Sequence, residues 1–220
     1  MNSFDIIGPV MVGPSSSHTA GAVKIGRLAR RLLGEPVKRA EIFFHGSFLA
    51  TGKGHGTDKA LVAGLLGFAV DDPRIADSFR WADESGMTYR LSGVDLGDVH
   101  PNSVKLLLTG RNGHSVRLTA ASVGGGAVQI TEIDGLSVSF SGDSPTLIIT
   151  NPDKPGQVNQ VTALLGQDNI NVAAMLLHRA ERGGCAVMVL ECDQKVPEDV
   201  VKRLSALEGI LKVTYLEGEG

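Results

Sequence analysis

Residues 146–158, TLIITNPDKPGQV, decide the fold of the C-terminal third of the chain. TLIIT reads as a short apolar strand. Asn151-Pro152-Asp153-Lys154-Pro155-Gly156 is a turn, and Pro155 suits the first position of a following helix, where its missing N–H costs nothing. Val158, Val161 and Leu165 then recur at helical spacing. Working outward, 170–178 and 185–192 read as strands joined through Glu181-Arg182-Gly183-Gly184. Pro197 opens a second helix, with Glu198 and Asp199 favourably placed in its first turn. Val201, Leu204 and Leu207 supply that helix's buried face, and 211–216 closes as a strand. The order β-α-β-β-α-β is the ferredoxin-like split βαβ.

Upstream, Ser141-Gly142-Asp143-Ser144-Pro145 is a run of turn formers that predicts a seam, giving domains at 1–142 and 145–220. Charge divides at the same place. Residues 1–143 hold 14 basic and 14 acidic side chains, and 144–220 hold 7 and 10, so the second segment carries the whole net charge of −3. That near-balance argues against a nucleic-acid footprint or a polybasic membrane patch. Hydrophobic residues at 42% exclude a disordered chain. The run 60–70 is too short to span a bilayer, and MNSFDIIGPV has no basic segment of the signal-peptide kind. Two cysteines, Cys185 and Cys192, imply a reduced, cytoplasmic setting. They are also too few for an iron–sulfur cluster, which takes three or four thiolates.

The first segment reads as mixed α/β, so the class as a whole is α/β (α+β). Helices are expected over 19–33, 58–68 and 73–85, the last capped by Asp72 and stopped by Gly86. Strands are expected at 40–45 and 87–91, with hairpins around Asn112-Gly113 and Asp134-Gly135. Three polar constellations stand out. Ser15, Ser16, Ser17, His18 and Thr19 sit where a loop enters a helix. Capping needs one hydroxyl and leaves three over, so an anion or carboxylate site is expected. Gly52-Lys53-Gly54-His55-Gly56-Thr57-Asp58 reads as a glycine-rich nest whose Lys53 and His55 add charge or protons. It matches neither nucleotide-binding glycine pattern. Asp98-Val99-His100-Pro101-Asn102 is a turn before a strand. His45, His114 and His178 read as structural. No His-x-x-x-His or Cys-x-x-Cys pair offers a metal site, so none is expected on this chain.

The C-terminal segment resembles an ACT domain, on Ile149 to Val158 and on Asn169-Ile170-Asn171-Val172. The resemblance implies a ligand or partner loop at Asn151, Asp153, Pro155, Gly156, Asn169 and Ile170, and self-association through this domain. The motif running from Asp5 through Gly13-Pro14-Ser15-Ser16-Ser17-His18-Thr19 to Gly21 resembles the opening of the iron–sulfur-dependent L-serine dehydratases. So do Phe43-Phe44-His45-Gly46-Ser47-Phe48, the 52–58 segment, His100-Pro101-Asn102 and Ser122-Val123-Gly124-Gly125-Gly126. The match is to the beta subunit of the two-chain enzyme. It implies a partner alpha subunit that holds a [4Fe–4S] cluster, and conversion of L-serine to pyruvate and ammonia. On that resemblance His18 and His55 are the expected catalytic pair, with the identity of the base left open between them and the alpha subunit. Ser15, Ser16, Ser17, Thr19, Lys53, Thr57, Asp58, His100 and Asn102 are the expected substrate contacts. The first segment also resembles the allosteric substrate-binding domain of some phosphoglycerate dehydrogenases, which implies a second reading, an amino-acid sensor without catalysis. A pyridoxal-phosphate deaminase would need a Schiff-base lysine, and Lys53 has no pyridinium partner in view.

Overall fold

The computed structural model describes residues 11, 13 and 15–218. Asp5 to Val10, Val12 and Pro14 of the N-terminal motif lie outside the described residues. The chain divides into two units, 1–134 and 135–220. The division falls in the Asp134-Gly135 turn, upstream of the seam that composition suggests. Asp134 (φ 51°) and Gly135 (φ 87°) are both left-handed there, the conformation of a two-residue hairpin turn.

In the first unit a single π turn, Ser16–Ala20, runs directly into helix α1, Gly21–Leu33. Gly34 ends α1 in the left-handed conformation that stops helices. Strand β1, Val37–Phe44, leads into α2, Gly46–His55, and α3, Thr57–Leu66. A 3₁₀ turn, Pro73–Asp77, is capped by the Asp72 side chain on the Arg74 N–H and continues as α4, Ser78–Ser85. Strands β2 Thr88–Gly93, β3 Ser103–Gly110, β4 Ser115–Gly124 and β5 Ala127–Ile133 follow. Within this unit the sheet order is β2-β1-β3-β4-β5, and the next strand, β6, Leu136–Phe140, belongs to the second unit. β1 and β2 are parallel, because α2 to α4 form the crossover between them. β1–β3, β3–β4 and β4–β5 are antiparallel, the last two pairs as hairpins.

Periodicity explains the core of this unit. Ala22, Ile25, Ala29 and Leu32 form the buried stripe of α1, against Val104, Leu106 and Leu108 of β3 and Leu118 and Ala120 of β4, all nearly free of solvent. α1 also crosses α3 through two glycines. A Cβ on Gly64 would stand 2.1 Å from the Val23 carbonyl oxygen, and one on Gly26 would stand 2.4 Å from that of Leu61. The helix backbones therefore touch, which side chains would forbid. Behind α1, buried Glu35 accepts the Asn112 and His114 backbone N–H groups at 2.7 and 3.0 Å. The carboxylate is thus the anchor of the β3–β4 turn.

In the second unit β7 Thr146–Pro152, α5 Gln157–Gln167, β8 Val172–Arg179, β9 Cys185–Cys192, α6 Glu198–Ser205 and β10 Lys212–Leu216 form the expected β-α-β-β-α-β order. The sheet order is β10-β7-β9-β8, antiparallel throughout. Leu147, Ile149, Val161, Leu165, Met188, Leu190, Val200 and Leu204 pack the two helices on one face of it. Two local expectations are corrected. α5 opens at Gln157 with Gly156 as its N-cap at φ +93°, so Pro155 belongs to the preceding turn and not to the helix. The 52–58 segment is no loop. Gly52 to His55 form the last turn of α2, and only Gly56, at φ +67°, leaves helical geometry before α3 begins. The glycines of this segment therefore end one helix and start the next and do not present a nest of free N–H groups.

Candidate active site

α2 is the element the sequence concealed, and it builds the site. Ser47, Thr51 and His55 lie four residues apart, on one helix face. His18 reaches them from the π turn ahead of α1. Its Nε2 is 3.2 Å from the Ser47 hydroxyl and 3.1 Å from the Thr51 hydroxyl. The two hydroxyls are 3.4 Å apart, and Thr51 Oγ1 donates to the Ser47 carbonyl at 2.9 Å. The imidazoles of His18 and His55 sit with ring centres 4.9 Å apart, and Phe48 meets the His18 ring edge-on at 5.3 Å. His55 Nδ1 is 3.0 Å from the Thr51 carbonyl oxygen. A carbonyl only accepts, so Nδ1 carries the hydrogen, and in the neutral ring the lone pair is on Nε2. Burial first, and then the neighbouring His55, lower the pKa of His18 below the ordinary imidazole value. His18 is thereby held neutral at neutral pH.

The loop constellations meet this pair. The Ser15 hydroxyl caps the π turn by accepting the His18 backbone N–H at 3.1 Å, and its carbonyl accepts that of Thr19 at 2.8 Å. Ser16 and Ser17 are half-buried beside it. The Thr19 hydroxyl donates to the His55 carbonyl at 3.3 Å, tying the first constellation to the second. A cleft of about 380 Å³ is lined by Thr19, Lys53, His55, Asp58, Lys59 and Ile75, among others. A second, of about 250 Å³, opens on the other side of Lys53 and Asp58 against Phe44, Phe48, Leu49 and Leu91. Thr57 is fully buried, facing Gly52, and does not line either cleft.

The 100–102 turn serves as a brace. The Pro101 carbonyl accepts the Ser47 N–H at 2.8 Å, and the Asn102 carbonyl accepts the Ser122 N–H at 3.0 Å. His100 folds onto its own turn, with Nδ1 accepting the Asn102 N–H at 3.1 Å. His45 Nδ1 accepts the Leu96 N–H at 3.2 Å, a contact across 51 positions of the chain. Sequence reading missed Ser47 and Thr51 as partners of the histidines. The available signal was the Ser-x₃-Thr-x₃-His spacing, legible only once the glycine-rich segment is taken as helix.

In the second unit the Asp153 carboxylate is engaged internally, by Arg179 at 2.7 Å and the Gly183 N–H at 2.9 Å. These contacts, the Gly183 hydrogen bond foremost, hold its pKa below the usual carboxylate range. Asn151 is buried with its amide on the Pro152 carbonyl. Pro155 and Gly156 are exposed in the turn. Asn169 takes a left-handed φ of 55° at the end of α5, and Ile170 is part of the core.

This chain does not suit an iron–sulfur cluster of its own. Cys185 and Cys192 lie on one strand, Cys192 buried, and no cluster of three or more His, Cys, Asp or Glu residues able to hold a metal exists among the described residues. Among the same residues no helix is long and apolar enough to cross a membrane.

The serine dehydratase beta chain family model matches residues 3–93, and the ACT domain model matches 145–209. The chain is 42% identical over 213 residues to a probable L-serine dehydratase beta chain of Bacillus subtilis, covering 97% of this chain and 96% of that one. It is 37% identical to the L-serine dehydratase beta chain of Peptoniphilus asaccharolyticus, covering 98% of each. A D-3-phosphoglycerate dehydrogenase of Archaeoglobus fulgidus is 29% identical, over 89% of this chain but 37% of its own length.

Proposed function

The chain belongs to the L-serine dehydratase beta-chain family, and from that premise we propose that it pairs with an alpha chain to convert L-serine to pyruvate and ammonia. A [4Fe–4S] cluster, held by the alpha chain, would supply Lewis-acid chemistry. This chain's part is to bind the amino acid and move its α-proton. His55 is the base: its Nδ1–H on the Thr51 carbonyl puts the lone pair on Nε2, and the residue lines the cleft. Lys53 and Lys59 on the cleft wall attract the substrate carboxylate, aided by the Ser16 and Ser17 hydroxyls at the start of the π turn. Asp58 on the same wall faces the ammonium. His18 stays neutral beside His55, so the proton taken by His55 meets no second charge.

The observation that carries this reading is the hydrogen-bonded set His18, Ser47, Thr51 and His55 at the edge of a cleft. The test is pyruvate formation by the reconstituted pair. His55→Ala is expected to lower kcat at least about a hundredfold, the usual scale for a lost general base. Ser16→Ala is expected to raise KM. Wild-type turnover in both variants would overturn the assignment.

A second copy of this chain is the further partner. In the sheet order β8 has one free edge, and Met175, Leu176 and Leu177 on it are exposed. Such an edge is covered by pairing with its like. The reduced thiols accord with a cytoplasmic location.

A further inference from the structure

We propose that Thr51 is the positioning residue that gives His18 and His55 opposite tautomers. Its catalytic consequence rests on the dehydratase reading above, whereas its geometry does not. The Thr51 hydroxyl has one hydrogen and gives it to the Ser47 carbonyl, four residues back on α2, at 2.9 Å. Toward any other neighbour that oxygen can only accept. His18 Nε2 stands 3.1 Å away, so with the hydroxyl hydrogen on the nearer Ser47 carbonyl this ring nitrogen is the donor. The Ser47 hydroxyl, 3.2 Å from the same nitrogen, takes a share of that N–H and can pass its own hydrogen to Thr51 Oγ1 at 3.4 Å. The carbonyl of Thr51 then fixes the other ring, because His55 Nδ1 at 3.0 Å must donate to it.

One residue thus reaches both imidazoles, with its side chain on one and its backbone on the other. His18 carries hydrogen on Nε2 and a lone pair on Nδ1. His55 carries hydrogen on Nδ1 and a lone pair on Nε2. A base is useful only with its lone pair on the nitrogen that faces the substrate, so tautomer choice is a rate factor. The two contacts differ in how they can be removed. Thr51→Val deletes the hydroxyl and keeps shape and carbonyl, so it leaves His18 Nε2 facing the Ser47 hydroxyl, which can accept from it or donate to it, and leaves His55 held. Thr51→Ser returns the hydroxyl.

The test uses the full chain labelled with ¹⁵N. Long-range proton–nitrogen NMR reads the hydrogen position on each ring, and pyruvate release is measured after mixing with the alpha chain. Wild type is expected to show a single tautomer for each ring, of the opposite kind. Thr51→Val is expected to give a mixture at His18, no change at His55, and about tenfold lower kcat, with a displaced pH profile. Thr51→Ser is expected to restore all three. An unchanged His18 tautomer in Thr51→Val overturns the inference and leaves the dehydratase reading standing. Correct tautomers in a wild-type pair that releases no pyruvate from serine overturn the dehydratase reading, with the Thr51 geometry supported.

Discussion

Gly64→Ala should loosen the first unit and disable its site together. In an exposed helix this substitution would help, since alanine exceeds glycine by about 1 kcal/mol in helix propensity. At the α1–α3 crossing the new methyl would stand 2.1 Å from the Val23 carbonyl oxygen and 2.9 Å from the Arg27 nitrogen and the Gly26 Cα. Ordinary contact begins near 3.4 Å, and every one of these neighbours is backbone, so no rotamer change relieves the clash. The helices must part by about 1 Å. Overpacking of this kind costs about 1–3 kcal/mol, and the backbone on both sides places it at the upper end. Allowing for the propensity gain, a net loss of about 2 kcal/mol is expected. For a unit of this size that lowers Tm by roughly 8 °C. Circular dichroism melts and urea midpoints of the full chain would measure it. The same shift should reach the site, because α1 continues from the turn carrying His18 and α3 follows the residue after His55. Serine turnover with the alpha chain should fall by more than stability alone explains at a temperature where the variant is folded. A variant as stable as wild type would refute the reading that backbone contact sets this crossing.

Two further outcomes follow from titration. Because folding lowers the pKa of His18, the unfolded chain binds the proton more readily. The stability His18 contributes is therefore present above pH 6.5 and lost as pH falls through its folded value. Urea midpoints of wild type and His18→Gln, compared from pH 7 down to pH 5, should show the wild type losing ground; a constant or widening advantage would contradict this. Burial, with Asp193 nearby, pushes the Cys192 thiol up to about 11, whereas Cys185 is exposed. Iodoacetamide at pH 8 should alkylate Cys185 alone in the folded chain by mass spectrometry, and both thiols in urea. Prompt labelling of Cys192 in native protein would show that β9 is not packed as described.

The ACT-like unit was legible element by element. Its strands are short apolar runs between turn formers, its helices carry stripes such as Val161 and Leu165, and each of these signals is local. The same holds for α1, for the Asp72 cap and for the hairpin at Asp134-Gly135. α2 was not legible, because glycines at 46, 52 and 54 depress helix propensity and no apolar stripe compensates. What makes 46–55 helical is tertiary: Phe48 is buried, the Pro101 carbonyl takes the first-turn N–H of Ser47, and Gly52 admits Thr57 closely behind it. The sequence by itself therefore determined the two-part architecture and the family. Only the folded chain decided which polar residues meet. His18 and Thr51 are separated by 33 positions and joined by one 3.1 Å contact, and a pairing of that kind depends on how closely α1 and α3 cross, which no local pattern encodes.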